Sequence, residues 1–464
     1  MQQIALFVAI LALAVSAGAQ DYTTRIIYSE PNLRPGISFL NNFGQVTGTK
    51  YYSAPVLDPF IWSKSTKSVS LGNLGGGLYN YSDGINDAGQ VIGDSDLADQ
   101  VSHHAYFWSA SAGIQDIGTF GGTQSYPGGI NKSGRVVGSA TLFGDQIGRA
   151  FLWTQSGGLQ DIGAGDNSTA IAINTSGQIL GARIDSQNNY QGFVWSQASG
   201  FQFFYPPVAT LMYLVGISDS GQVLGNYVGP QCTLSQSTCA FTWSPNVGFQ
   251  YPALNGSPIN AISQNAAGTV LGDIPNSRAV LWTSSGGAQD LGVLPGKSFS
   301  YPYALNNKNE VVGLSCIADG THCKSFVWHP GQGLRVIPHS NNAKIFTQLN
   351  DAGQIVGIVA YNRTVLLSPW VRLKLASSQN PSKLGQSVIF TATASSVEGA
   401  PKDGELVVFR TGKKVLGTAP LSGGVASFAT TSLTVGRHAV TATYSGDANY
   451  DTSKSGVLQQ ILTP

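Results

Sequence analysis

One ten-residue phrase constrains this chain more than any other feature, because it recurs along most of its length. Gly84-Ile85-Asn86-Asp87-Ala88-Gly89-Gln90-Val91-Ile92-Gly93 returns as Gly129-Ile130-Asn131-Lys132-Ser133-Gly134-Arg135-Val136-Val137-Gly138. Further copies centre on Asn174, Ser218 and Asn350, with weaker ones at Asn41, Asn265 and Asn306. The steps between these positions are 45, 45, 43, 44, 47, 41 and 44 residues. A period of this size with strand-type punctuation marks an array of stacked or circularly arranged units.

The phrase has its own turn chemistry. An Asn side chain can bond the backbone two residues on, and a Gly three residues later takes positive φ, so each copy predicts a β-hairpin. In Asn306-Asn307-Lys308-Asn309 the Gly is replaced by Asn, the other side chain that tolerates this region. Each unit then carries a Trp-ending strand: Phe60-Ile61-Trp62, Tyr106-Phe107-Trp108, Phe151-Leu152-Trp153, Phe193-Val194-Trp195, Phe241-Thr242-Trp243, Val280-Leu281-Trp282, Phe326-Val327-Trp328 and a degenerate Ser368-Pro369-Trp370. The 8 Trp are read as sharing one phase, filling the contact between neighbouring sheets. A third segment, such as Gly113-Ile114-Gln115-Asp116-Ile117-Gly118, alternates like a half-exposed outer strand. Asp116, Asp161 and Asp290 recur in its phase and read as turn or edge groups.

Four strands in about 44 residues is the size of a propeller blade. Eight hairpins and eight Trp strands enclose only seven outer strands. The β-branched and aromatic stretch Thr23 to Tyr28 supplies the eighth, which predicts an all-β, eight-bladed β-propeller closed by the N-terminal strand. That closure removes the exposed sheet edge of a linear array. Seven blades with a degenerate terminal unit is the alternative, and an open solenoid comes third.

His104-Ala105-Tyr106-Phe107-Trp108, Gln115-Asp116-Ile117-Gly118-Thr119-Phe120-Gly121-Gly122 and Gly129-Ile130-Asn131 resemble the bacterial extracellular repeat of the HAF family. The resemblance runs from Tyr22 to Trp370, although Arg149-Ala150-Phe151 replaces the family's His in the next copy. It implies export and a repeated β architecture, with no reaction assigned.

After Trp370 the repeat stops. Short alternating strands such as Ser387 to Thr393 and His438 to Tyr444, separated by turn clusters, predict a β-sandwich. Gly436-Arg437-His438 through Tyr444-Ser445-Gly446-Asp447-Ala448-Asn449-Tyr450 is similar to bacterial Ig-like domains, which implies a spacer or adhesion module. The expected organisation is 1–19 signal peptide, 20–370 repeat propeller and 371–464 Ig-like sandwich.

The apolar run Ile4 to Val15, followed by Ser16-Ala17-Gly18-Ala19-Gln20, reads as a signal cleaved near Ala19, though no Lys or Arg precedes it. An uncleaved anchor is the rival reading, and the run is short for a span. Export makes the chain secreted or cell-surface, with the periplasm the other compartment. Only 11% of residues are charged and the net charge is +1, which removes the electrostatic basis for nucleic-acid binding. Cys232 and Cys239 enclose six residues, as do Cys316 and Cys323, in equal phase of two units. In an exported protein this reads as two loop-stapling disulfides. A zinc site there would need more ligands than nearby His322.

Candidates for chemistry are His103, His104 and Arg149, with Asp94, Asp96 and Asp99 nearby. Spacing sets no separation between the carboxylates, and no nucleophile elbow, P-loop or dinucleotide fingerprint occurs. In a propeller the connections between blades share a face with the loops before the Trp strand. That face collects Tyr79, Tyr81, Tyr126, Tyr205, Tyr213, Tyr301 and Tyr303, read as lying at positions that differ between units. Rigid amphipathic rings suit glycans or peptides. The expectation is a monomeric, non-enzymatic binding or adhesion protein with an extracellular glycan or peptide partner and no cofactor or metal. A secreted propeller enzyme acting on polysaccharide is the alternative.

Overall fold

The computed structural model describes residues 21–29, 35–51, 57–230, 232, 238–275, 278–337, 344–359 and 363–464. The signal-type segment lies outside them. Among the described residues every regular element is a strand, and no helix is long and apolar enough to cross a membrane.

Each repeat folds as an antiparallel four-strand meander. In the third, Gly121–Ile130, Val136–Leu142, Gly148–Thr154 and Gly158–Asp161 pair in that order from the inside outwards. The second and third sheets share one parallel bridge, Gln124 to His103. In the last repeat Lys344–Leu349, Ile355–Val359 and Arg363–Pro369 supply three strands, and the fourth is Tyr22–Ser29, antiparallel to Arg363–Pro369. Inner strands contact one another in chain order, and Pro35–Leu40 touches both Gly75–Ile85 and Lys344–Leu349, so the circuit closes.

The hairpin phrase explains both the turn and the closure. In the second repeat Asn86 Oδ1 accepts the amides of Ala88 and Gln90, each at 3.0 Å. Its Nδ2 donates to Gln90 Oε1 at 2.7 Å and to the backbone oxygen of Asn131, in the next repeat, at 3.0 Å. Gly89 supplies φ +73°, and Asn309 takes φ +62° where the Gly is missing. The same inter-repeat bond runs from Asn41, Asn131, Asn174, Asn265 and Asn306, and Asn350 returns it to Asn41, all at 2.9 to 3.2 Å. Only Ser218 lacks the donor; there Gln222 Nε2 reaches the Gly268 oxygen instead, at 2.9 Å.

The Gly that ends the phrase is a packing requirement. Gly138 pairs with Phe151 across the sheet, and a Cβ there would collide with the Tyr126 carbonyl and lie 2.8 Å from the Phe151 ring. Gly93, Gly181, Gly225 and Gly313 stand in the same relation to Tyr106, Phe193, Phe241 and Phe326. A ring covering a cross-strand glycine keeps the pleat filled.

The core is a chain of clusters between successive sheets. Trp153 packs on Phe107 of the preceding sheet at 4.9 Å, and Trp243 stacks on Phe204 at 4.5 Å. Trp195 joins Val137 and Leu152, Trp282 joins Leu224 and Ala240, and Trp328 joins Leu271 and Leu281. Trp62 meets Val356 and Leu366 of the last repeat, closing the series. Each ring takes on the order of 200 Å² out of water, roughly 5 kcal/mol at most. The degenerate eighth copy corrects the expectation that all Trp share one phase. Leu367 pairs with Ile355 where Trp328 pairs with Val311, so Leu367 occupies the position. It packs there with Tyr22 of the closing strand, while Trp370 lies beyond the sheet near the Arg372 guanidinium.

From Arg372 the chain forms two facing sheets around Val388, Phe390, Val407, Phe409, Val440 and Tyr444. The alternation of Val388–Ser395, buried and exposed in turn, is that of a sandwich strand. This module docks on the hairpin face of the repeats. Asp451 binds Arg25, Lys64 and Thr23 at 2.6, 3.0 and 2.7 Å, and Lys64 Nζ donates to the Asp447 and Tyr450 oxygens. The Gly-Asp-Ala-Asn-Tyr stretch is thus the docking loop.

Candidate functional site

Inner strands run towards the hairpin face, so their first halves lie towards the opposite face, where the Cys loops and inter-repeat connections are. Five residues before the hairpin Asn or Ser stand Tyr81, Tyr126, Tyr213 and Tyr301, with Thr169, Asn260 and Ile345 in other repeats. Each of these tyrosines pairs with the residue after the second-strand Gly: Asp94, Ser139, Asn226 and Leu314. The expectation that tyrosine positions differ between units is therefore corrected for these four. Tyr126 and Tyr213 are exposed, as is Tyr79 two residues before Tyr81.

Two residues further on, the register slips by one in a bulge. The extra residue is Asp83, Gly128, Ile171, Val215, Ile262, Tyr303 or Thr347 according to the repeat. Bulges re-aim a side chain at the sheet edge. Only the second repeat places an acid there.

Around Asp83 the second repeat assembles a charged cluster. Asp94 and Asp96 alternate along Val91–Leu97, so they share a face, and His103 opposes Asp96 on the next strand. The imidazole lies between the carboxylates, Nε2 2.8 Å from Asp94 and Nδ1 2.8 Å from Asp96. A neutral ring can donate from one nitrogen only, so two carboxylate partners call for imidazolium. The hydrogen bond to Asp94 is the main cause that pushes the His103 pKa up to about 9; burial opposes it and Asp96 adds to it. Asp96 also accepts the Tyr79 amide at 3.1 Å. The Tyr126 ring lies 5.5 Å from the imidazole. Asp83 keeps an accessible edge while protein crowds it on most sides. That crowding first, and then the Asp94 charge, push its pKa up to about 7 against the pull of His103.

The arrangement can bind a polar ligand. Asp94 Oδ1 is buried without a hydrogen-bond partner, so it is an acceptor in need of a donor. The two or three carboxylates outweigh the single imidazolium, so the cluster favours hydroxyl or ammonium donors over anions. Sequence reasoning singled out Asp94, Asp96, His103 and the tyrosines but missed Asp83. The readable signal was an acid three residues before the hairpin Asn, where other units have Ser, Gly, Ile, Val, Tyr or Thr.

Other candidates lie elsewhere. His104 pairs with Asp116 at 2.9 Å and Arg149 with Asp161 at 3.0 Å, while Arg278 and Asp290 repeat the pattern at 2.8 Å. These are ties between third and outer strands. The same carboxylates accept the Gly118, Gly163 and Gly292 amides, as turn groups do. Asp99 caps a turn through Val101 and Ser102. Tyr205 donates to the Ala209 oxygen within its own connection. Tyr301 and Tyr303 stand half-buried in the seventh repeat. Cys232–Cys239 and Cys316–Cys323 are both disulfide-bonded.

Residues 375–463 match the family model described as Bacterial Ig-like domain (group 3). No curated protein matches the chain. Among solved structures it is similar to virginiamycin B lyase from Staphylococcus aureus, at 10% identity and TM-score 0.40, over 75% of this chain and 99% of that one. It is similar also to the β-propeller domain of the Trilobed protease from Pyrococcus furiosus, at 9% identity and TM-score 0.43, over 67% and 99%. A third is dipeptidyl peptidase 4 from Porphyromonas gingivalis, at 7% identity and TM-score 0.49, over 80% of this chain and 65% of that one. At these values the likeness assigns no chemistry to this chain.

Proposed function

We propose that this chain is an exported recognition protein whose platform is an eight-bladed propeller of HAF-type repeats, latched by Tyr22–Ser29. In this reading the Ig-like module is a spacer, and the ligand is a glycan or peptide held at the inner strands around Asp83, Asp94, Asp96 and His103. The observation that carries the reading is the exposure of Tyr79, Tyr126 and Tyr213, at 55%, 43% and 52%, each next to a buried neighbour, Asn80, Ser125 and Met212. Tyrosines that merely packed their own loops would be covered. Beside Tyr79 and Tyr126 an unpartnered carboxylate oxygen and the imidazolium supply directional bonds. The two disulfides support an oxidising compartment.

A glycan and peptide array probed with the purified chain tests this. Asp94→Asn and Tyr126→Ala each weaken the captured ligand about tenfold or more, the scale of a lost charged hydrogen bond or aromatic anchor. Binding that survives both changes at full strength overturns the reading.

One feature favours the enzymatic alternative: the Asp94 charge helps to raise the Asp83 pKa. A carboxylic acid beside a carboxylate is the pairing used in glycoside hydrolysis. Turnover of a polysaccharide that disappears in Asp83→Asn and Asp94→Asn would replace binding by catalysis at the same place.

A further inference from the structure

The seventh repeat departs from the others at two positions that meet in space. Four residues after the hairpin Asn or Ser, most units carry Gln, as in Gln45, Gln90, Gln178, Gln222 and Gln354, with Arg135 and Thr269 as variants; the seventh has Glu310. Immediately after the strand Trp the other units carry Ser63, Ser109, Thr154, Ser196, Ser244 and Thr283; the seventh has His329. His329 Nδ1 lies 3.1 Å from Glu310 Oε1. The third member comes from the Ig-like module: Glu398 Oε1 is 3.9 Å from the same nitrogen.

All three side chains are buried, exposing 8%, 4% and 1% for Glu310, His329 and Glu398. Both Glu398 oxygens and His329 Nε2 are buried without a hydrogen-bond partner. The nearest cation is the half-exposed Lys308 ammonium, 3.5 Å from Glu398 Oε2. Gly353, at φ +73°, leaves the room Glu398 occupies, since a Cβ there would collide with the carboxyl carbon. A buried carboxylate left unpaired costs several kcal/mol, so such a group needs a counter-charge. The three donor atoms lie within 4.8 Å of one another. Ligand atoms around a tetrahedral ion with bonds near 2.1 Å sit about 3.4 Å apart, close to the separations found here.

We propose that Glu310, His329 and Glu398 form a structural site for a divalent transition-metal ion, of which zinc is the type, that joins the Ig-like module to the propeller. One imidazole and two carboxylates, with no thiolate, are a nitrogen–oxygen donor set suited to zinc or manganese rather than calcium. The ion would offset both buried carboxylates and couple metal binding to docking of the two modules. Tyr22, on the closing strand, adds a further buried hydroxyl without a partner. Burial first, and then the charges of Glu398 and Glu310, raise its pKa. The rival occupant is a proton: burial and the facing Glu310 push the Glu398 pKa up to about 7.

The test uses the full chain, stripped with a chelator and titrated with zinc, manganese or calcium alone, with bound metal read by mass spectrometry. About one zinc or manganese ion per chain is expected, with an absorption-edge spectrum of the wild type showing one imidazole in a nitrogen–oxygen shell. His329→Gln and Glu398→Gln should each weaken binding roughly 100-fold or more, given that even outer-shell partners are worth 10–100-fold. Asp403→Asn, an exposed acid of the same module, should leave it unchanged. The spectrum needs no variant, so a Gln variant that fails to fold leaves a decisive measurement. Absence of bound metal, a site that takes calcium alone, or zinc held without an imidazole would each overturn the assignment.

Discussion

Replacing Asn86 by alanine removes four hydrogen bonds at once, all within 3.0 Å: two from turn amides, one to Gln90 Oε1 and one to the next repeat through the Asn131 oxygen. The residue is 7% exposed, so water reaches the freed groups poorly. At about 1 kcal/mol net per bond, with a further penalty for amides and a carbonyl left buried without partners, the loss is roughly 4–5 kcal/mol. With a urea slope on the order of 3 kcal/mol/M, the unfolding midpoint should fall by about 1.5 M at unchanged slope. Circular dichroism against urea reads this directly. Asn246→Ala, at an exposed turn outside the ring, is the control and should stay within about 0.5 kcal/mol. A drop below about 0.3 M, or one no larger than that of Asn246→Ala, would refute the claim that these side chains hold the circuit together.

Other perturbations follow from the same geometry. Gly138→Ala drives a methyl into the Tyr126 carbonyl, so it should cost about 3 kcal/mol, whereas Gly148→Ala, with nothing within 4 Å, should be neutral or slightly stabilising in the same melt. His103 is raised from 6.5 to about 9, so its contribution is complete below pH 6.5 and is lost as pH rises through 9. The stability gap between wild type and His103→Gln should therefore shrink between those values, and an NMR titration of the ring should have its midpoint near 9. Cys316→Ser with Cys323→Ser reopens a loop of seven-residue separation, for which chain entropy gives about 2.5 kcal/mol, measurable as a lower thermal midpoint.

Much of the architecture was legible because each repeat states its turn and its buried ring in sequence. Asn309 standing in for Gly at positive φ, and Thr23 to Tyr28 reading as the missing outer strand, are local facts that need no coordinates. Trp370 misled because residue identity was weighed above register; at the seam Leu367 packs against Tyr22 instead. The shared phase of Tyr81, Tyr126, Tyr213 and Tyr301 was hidden by variable connections upstream and emerges only when counted back from the hairpin. The second face of the hairpin Asn could not be foreseen, since Asn86 Nδ2 bonds a residue 45 positions away. Asp83 depends on a bulge, and Glu398 meets His329 only after two modules dock.

The grip of Asp451 on Thr23 and Arg25 reaches the strand that seals the wheel. The C-terminal module therefore acts as a clasp, so that opening the wheel and releasing the module are coupled steps. Tension applied to the far end of the chain would load this clasp first, and would arrive at the tyrosine-bearing rim only after the latch had given way.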